Sequence, residues 1–345
     1  MNNKSVGYWP HMPSGCSWYR VDTPMNALKK AGVNVKTVEI DKDFVASEYQ
    51  SVQFYGAVPF SMEKVLKYMK EEGIKIVYDS DDALELIDET NPFYHAVKKD
   101  AGSTNAMLEY ADEVTVANAE LAKYYADKTK AKITIVPNCY VPEEWNHTRT
   151  PHEEIRIGFA GSATHVPDLI DIIPAIRNLQ AKYNIKFYIM GFGPTTYEEW
   201  FKNYRYIAQP VATKALRELD SALKTIKFEW IPFVDYKLYP KVLTELSLDI
   251  GLCPLKDTPF NRCRTPSKAM EYSLSGALVL ASDSATYNAE PTSVVVTDIG
   301  WEEHIEKMIK SILEKTASTY LVKSWLKENR AIDTQLDLLK SIYIV

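Results

Sequence analysis

Five features missing from this sequence narrow its class. No run of eighteen apolar residues exists, so no membrane-spanning helix is expected. The first fifteen residues, MNNKSVGYWPHMPSG, have neither an apolar core nor a small-residue cleavage site, so no secretory signal is expected. Cys16, Cys139, Cys253 and Cys263 are scattered without metal-ligand spacing, which fits a reduced, cytoplasmic protein. Internal repeats and low-complexity tracts are absent. A global basic field is absent too. The first 150 residues carry 17 basic against 22 acidic side chains and the rest 23 against 24, so only a local patch could attract nucleic acid.

What remains is an ordinary soluble composition, 46% hydrophobic and 25% charged, over 345 residues, enough for two domains. Short apolar strands such as KSVGYW, SVQFYGAV, IKIVYD, EVTVAN and KITIVPN alternate with helix-length segments. That alternation predicts a parallel sheet wrapped on both faces. Periodicity stops around PEEWNHTRTPHEEI and restarts at IRIGFAGS, followed by a single helix over VPDLIDIIPAIRNLQAKY and strands at IKFYIMGF, FEWIPFV, LDIGLCPL, ALVLAS and SVVVTDI. The expectation is an α/β protein of two doubly wound, Rossmann-like domains facing across a cleft. Residues 1–148 and 149–323 form the domains, residues 195–227 a helical insertion in the second, and 324–345 a helix returning to the first. Such folds take ligands at the carboxyl ends of their strands.

The most informative stretch is PFNRCRTPSKAMEYSLSGALVLAS, residues 259–282. Thr265 and Pro266 predict a helix start, with Thr265 as cap, and Gly276 predicts its end. Arg264 and Lys268 are four residues apart, so both project from the first turn. Two cations at a helix N-terminus suit an anion, a diphosphate above all. Glu271, three residues beyond Lys268, would accept hydrogen bonds from a sugar diol. The alternative is an amphipathic helix with its charges in water.

Three further segments compete with plainer explanations. In GFAGSATHVPDL, Gly161 and Ser162 sit where a strand turns into a helix, with His165 at the helix start. A capped turn would look the same. YDSDDA sets Asp79, Asp81 and Asp82 at a strand end, where they could bind a divalent metal, orient a substrate hydroxyl, or cap the next helix. The D-x-D pattern also fits haloacid-dehalogenase-type phosphohydrolases, but their later lysine and acidic pair are not found in the right order. SGCSWYRVDTP places Gly15 and Arg20 in the first strand-to-helix connection. There Gly15 would admit a ligand, and Arg20 would meet a phosphate or acceptor, or else pair with Asp22 or Glu39.

Taken together, YRVDTPMNALKKAG, YDSDDA, RIGFAGSATHVPDL and DIGLCPLKDTPFNRCRTPSKAMEYSLSGALVLAS resemble GT-B-fold glycosyltransferases of retaining family 4. The likeness is to a branch common in bacterial surface-glycan clusters and phage genomes. Glu271 precedes Gly276 by the spacing of that family's ribose-binding glutamate. The partner glutamate, eight residues earlier, is Cys263, Ser162 stands at a family arginine, and Asp81 lies about where many members carry a histidine. The resemblance implies hexosyl or pentosyl transfer, with retention, from a nucleoside-diphosphate sugar to a hydroxyl acceptor. The donor, UDP-linked in preference to GDP-linked, would bind Gly161, Ser162, His165, Thr265, Ser267 and Glu271. Arg264 and Lys268 would stabilise the leaving diphosphate without a metal or other cofactor. Asp81 and Asp82 would serve the reaction from the acceptor side, with Gly15 and Arg20. The acceptor would be a glycan or lipid-linked glycan, with peripheral membrane contact left open. Alternatives are a phage enzyme glycosylating hydroxymethylated pyrimidines in DNA, and a non-catalytic nucleotide-sugar-binding subunit. In the insertion, Tyr197, Trp200, Phe201, Tyr204 and Tyr206 interleave with Lys202 and Arg205. Helical spacing favours aromatics pinning a hairpin to the domain surface or to a second subunit, with partner or acceptor contact second and DNA binding third.

Overall fold

The computed structural model describes residues 4–39, 44–56, 62–91, 94–100, 102–207 and 210–345. Two six-stranded parallel sheets organise them. The first comprises β1 (Ser5–Tyr8), β2 (Val35–Thr37), β3 (Tyr49–Tyr55), β4 (Lys75–Ser80), β5 (Glu113–Val116) and β6 (Lys132–Ile135), in the order β2-β1-β3-β4-β5-β6. The second comprises β7 (Ile155–Ala160), β8 (Ile185–Met190), β9 (Phe228–Ile231), β10 (Ile250–Cys253), β11 (Leu278–Ala281) and β12 (Val294–Val295), in the order β12-β11-β10-β7-β8-β9. Inner strands are largely buried, as a sheet covered on both faces requires: all four residues of β5 and of β10 are shielded. In both sheets the order reverses beside the first strand, which opens a crevice at the carboxyl edge.

Local chemistry decides where the helices fall. The helix after β7 is not the single one expected. It runs Val166–Ile170 and restarts at Ile173–Gln180, because Pro174 has no N–H to offer the Ile170 carbonyl. The first connection departs further. Helix begins at Gly15, where Ser14 and Ser17 cap each other reciprocally. The chain then widens into a π-turn over Trp18–Asp22, with the Thr23 N–H bonded to the Trp18 carbonyl, before Thr23–Lys30 continues as α-helix. Pro24 explains part of the irregularity. It cannot donate to the Arg20 carbonyl, and the Gln53 side chain does so instead at 3.0 Å. The strand expected over SVVVTDI is reduced to Val294–Val295.

Two close approaches seat the Ser267–Ser275 helix. Gly251 on β10 has Tyr272 over it, where a Cβ would lie 2.3 Å from the ring. The Tyr272 hydroxyl in turn accepts the Ala160 N–H. The helix start is thereby held at the carboxyl end of β7. Gly276 closes the helix at φ 92°, a left-handed conformation that glycine adopts without strain.

Residues 195–227 form a helical pair, Tyr197–Ile207 and Pro210–Leu223. Trp200 is buried in the second domain's core, 5.3 Å between ring centroids from Trp230, and Tyr197 and Phe201 pack beside it. Lys202 is exposed. The side chains of Tyr204, Arg205 and Tyr206 lie outside the described residues. At the C-terminus, Leu336–Tyr343 lies on the first sheet, where Ser51 Oγ donates to the Tyr343 carbonyl at 2.6 Å.

Candidate active site

A cavity of about 380 Å³ lies between the carboxyl edges of the two sheets. One wall comes from the second domain. It consists of the turn Gly161–Ser162, His165, and the start of the Ser267–Ser275 helix with Arg264, Thr265, Ser267, Lys268 and Glu271. The other comes from the first domain, through Gly15, Cys16, Trp18, Tyr19, Asp81, Asp82 and Asn138. Eleven of the twelve residues given donor, reaction or acceptor-side roles from sequence therefore line one cavity. Arg20 does not.

Arg20 is a correction. It is 2% exposed and forms a bidentate pair with Asp79, Nε to Oδ1 at 2.9 Å and Nη2 to Oδ2 at 2.7 Å. Neither Asp22 nor Glu39 is its partner, and it does not line the cavity. The remaining Nη1 donates to the Val136 carbonyl and, at 3.1 Å, to Asn138 Oδ1. That contact orients the Asn138 amide, whose Nδ2 then donates to Ser267 Oγ at 2.8 Å. Thr265 is a second correction. It does not cap the helix, which starts at Ser267 after Pro266 without a side-chain cap. Its hydroxyl pairs with Ser267 Oγ at 2.9 Å instead.

The cationic wall is built around a histidine. Lys268 Nζ lies 2.6 Å and Arg264 Nη1 3.2 Å from His165 Nε2, and His165 Nδ1 lies 2.7 Å from Asp168 Oδ2. Two cationic donors meet at Nε2, so that nitrogen must be the acceptor and Nδ1–H the donor to Asp168. Burial, Lys268 and Arg264 hold His165 well below its usual pKa, so it is neutral. Burial and then Arg264 press Lys268 down to about 8. Asp168 is pushed up to about 6 by burial, against the hydrogen bond it accepts from the Lys256 N–H. Gly161 makes room for this group: a Cβ there would sit 2.9 Å from Lys268 Cε and 3.0 Å from the Phe159 ring. No comparable demand exists at Gly15, where a Cβ would meet nothing within 4 Å.

One turn along the helix, Glu271 accepts from the Tyr19 hydroxyl of the first domain at 2.9 Å and from the Tyr239 hydroxyl at 3.2 Å. Burial raises it to about 7, and the tyrosine bonds and Lys268 oppose that rise. Across the cavity, Tyr55 donates to Asp81 at 3.0 Å, and Asp82 faces Arg264 at 3.8 Å. Burial lifts Asp82 to about 7 against the pull of Arg264. Among the described residues no cluster of three histidine, cysteine or carboxylate groups is placed to hold a metal ion. Cys263, where the resembled family has its second glutamate, is buried with the first domain's core. Its carbonyl accepts from Asn118 Nδ2 at 2.8 Å.

Tyr19, Tyr239, Asn138 and Asp168 were not anticipated. For the first three no local signal exists, since their partners are 32 to 252 residues away. Asp168 had one. It follows His165 by three residues, the spacing at which helical side chains meet.

The fold is that of the GT-B glycosyltransferases. No protein-family model matches the sequence, and no curated protein matches it significantly. Solved structures do match in shape, at 10–11% identity. A glycosyltransferase from Rickettsia africae covers 99% of both chains with a TM-score of 0.63. HepE from Anabaena, solved with UDP, covers 98% of both with 0.61. A UDP-forming α,α-trehalose-phosphate synthase from Burkholderia vietnamiensis covers 100% of this chain and 99% of its own, with 0.60. Among the described residues no helix is long and apolar enough to cross a membrane.

Proposed function

We propose that the protein is a retaining glycosyltransferase that moves a sugar from a nucleoside-diphosphate sugar, preferentially UDP-linked, to a hydroxyl of a glycan or lipid-linked glycan. One observation carries this. Arg264 and Lys268 converge at the open N-terminus of the Ser267–Ser275 helix, with Glu271 one turn further into the same cavity. Diphosphate charge is met by two cations and free helix N–H groups. A ribose diol one turn away meets a carboxylate, and the base reaches Gly191, Phe233 and Val234 at the ends of β8 and β9. HepE, of similar shape, was solved with UDP-glucose, which favours uridine in the donor.

The cations stabilise the charge that develops on the departing β-phosphate. The acceptor enters between this wall and Asp81 and Asp82, whose carboxylates orient its hydroxyl. Among the described residues no carboxylate is set apart as a nucleophile, which favours front-face displacement, with the leaving phosphate drawing the acceptor proton. Asp82 and Arg264 face each other across the transfer point, so acceptor and donor groups are electrostatically linked. Thermal-shift and hydrolysis assays over a panel of UDP- and GDP-sugars test the proposal. Stabilisation and slow hydrolysis by one UDP-sugar, surviving exhaustive chelation, are expected. Absence of any response to every nucleotide sugar rejects it. A strict, restorable requirement for manganese or magnesium would turn Asp81 and Asp82 into metal ligands.

A further inference from the structure

Asp168 touches no cavity atom, yet it is spent on one task beneath the cationic wall. It is 3% exposed, and both carboxylate oxygens are committed. Oδ2 takes His165 Nδ1–H at 2.7 Å, and Oδ1 takes the Lys256 N–H at 2.8 Å. No lysine or arginine side chain is paired with it among the described residues; Lys256 Nζ turns to Asp171 instead. His165 is 3% exposed and held edge-on to Phe159. Its only free lone pair, on Nε2, points at Lys268 Nζ and Arg264 Nη1.

We infer that Asp168 is a positioning residue: by keeping the proton of His165 on Nδ1, it makes Nε2 an acceptor that docks Lys268 and Arg264 side by side, ready for the donor diphosphate. The inference rests on the donor site proposed above for its last step only. Like charges repel, and two cations at one helix end would splay apart without an acceptor between them. A neutral imidazole supplies that acceptor without neutralising either cation, which a carboxylate in its place would do. The anion therefore meets full charge in a fixed geometry, and little ordering is left for the moment of binding.

The tautomer is what Asp168 controls. In Asp168→Asn, one amide oxygen cannot serve both the Lys256 N–H and His165 Nδ1–H. With the oxygen on Lys256, the amide NH2 faces Nδ1, and the ring proton moves to Nε2. It then points at two cationic donors, and the pair is pushed apart. His165→Gln is different, because its amide oxygen reaches about where Nε2 sits and needs nothing from Asp168. Asp168 should therefore matter only when residue 165 is histidine.

Two measurements decide, with UDP and inorganic pyrophosphate as probes. Imidazole 15N shifts of histidine-labelled full-length protein report the tautomer directly. A neutral ring with its proton on Nδ1 is expected in the wild type at pH 7, and a ring protonated on Nε2 in Asp168→Asn. A wild-type ring carrying its proton on Nε2, or on both nitrogens, overturns the inference whether or not the variant folds. Calorimetry on the wild type, both single variants and the double variant supplies the cycle. Asp168→Asn should weaken UDP and pyrophosphate binding about tenfold with His165 present, and less than twofold in the His165→Gln background. Equal losses in both backgrounds would make Asp168 a support for the Lys256 loop alone. Failure of the wild type to bind either probe rejects the donor site, while the 15N shifts still judge the tautomer.

Discussion

The two walls of the cavity hold their charges by opposite means. On the first-domain side the three carboxylates at the end of β4 each have a partner: Asp79 is clamped by Arg20, Asp81 takes the Tyr55 hydroxyl, and Asp82 faces Arg264. On the second-domain side Lys268 and Arg264 share only a neutral imidazole, apart from the 3.8 Å contact to Asp82. Asp79 and Asp81 are thus satisfied within their own domain, Asp82 only by the long contact to Arg264, and the basic wall is left wanting an anion. Satisfied groups support a fold and unsatisfied ones bind.

The largest effect should come from breaking the satisfied side. Arg20→Met leaves the Asp79 carboxylate buried without its cation, and such losses cost about 3–5 kcal/mol. A correspondingly lower urea midpoint is expected, and an unchanged midpoint would mean that the pair contributes nothing to the fold. Breaking the wanting side should do the reverse. Lys268→Ala removes one cation from a half-buried site, worth about 2–5 kcal/mol of donor binding, or more than tenfold. Its melting temperature should hold, and wild-type donor kinetics in that variant would refute the assignment.

The pH dependence sharpens the contrast. Glu271 and Asp82 rise to about 7, and Asp168 to about 6, from ordinary values of 4.5 and 3.8. Between those values the folded chain holds more protons than the unfolded one, so their contribution to stability falls as pH rises toward 7. Lys268, lowered from 10.5 to about 8, works oppositely, and stability returns as pH climbs from 8 to 10.5. The site therefore burdens the fold most between about pH 7 and 8. Glu271→Gln should flatten the fall between pH 5 and 7 in a melting series, while donor affinity drops severalfold. A slope identical to wild type would mean that Glu271 does not titrate there. The smallest effect belongs to Lys202→Ala on the helical insertion. Exposed substitutions of this kind stay within about 0.5 kcal/mol, and donor binding should not change. Loss of binding to hydroxymethylated DNA in that variant would instead bring a nucleic-acid acceptor forward.

The basic wall was legible in sequence because its parts are local. Arg264, Lys268 and Glu271 lie within eight residues at and just before the start of one helix, and Gly161, Ser162 and His165 within five on one turn. Alternating strands and helices likewise announced two parallel sheets, since a strand buried on both faces is simply an apolar run. The acidic wall was legible only as a cluster. Which carboxylate is sealed and which faces the cavity depends on Arg20, Tyr55 and Arg264, contributed from 26 to 182 residues away. Arg20 was misplaced for the same reason. A charged residue beside a glycine in a strand-to-helix connection looks exposed until its buried partner is known. The π-turn at Trp18–Asp22 left no mark beyond Pro24, whose missing N–H shows only once the Gln53 side chain is seen replacing it.

Tyr19 sits on that π-turn, and its hydroxyl spans the cleft to Glu271. The carboxylate that would grip a ribose is thus already holding a phenol from the opposite domain. A nucleotide bound as proposed would compete with that phenol for the carboxylate, setting a bond between the two domains against a bond to itself. Affinity and domain opening consequently draw on the same hydrogen bond, and the energy of one is set against the other. Removing the phenol's oxygen would take away this bridge between the domains and leave the carboxylate to the Tyr239 hydroxyl alone. The carboxylate proposed for the ribose is thus also one of the points, with the bonds from Asn118 to the Cys263 carbonyl and from Asn138 to Ser267, at which the two halves of the molecule are fastened.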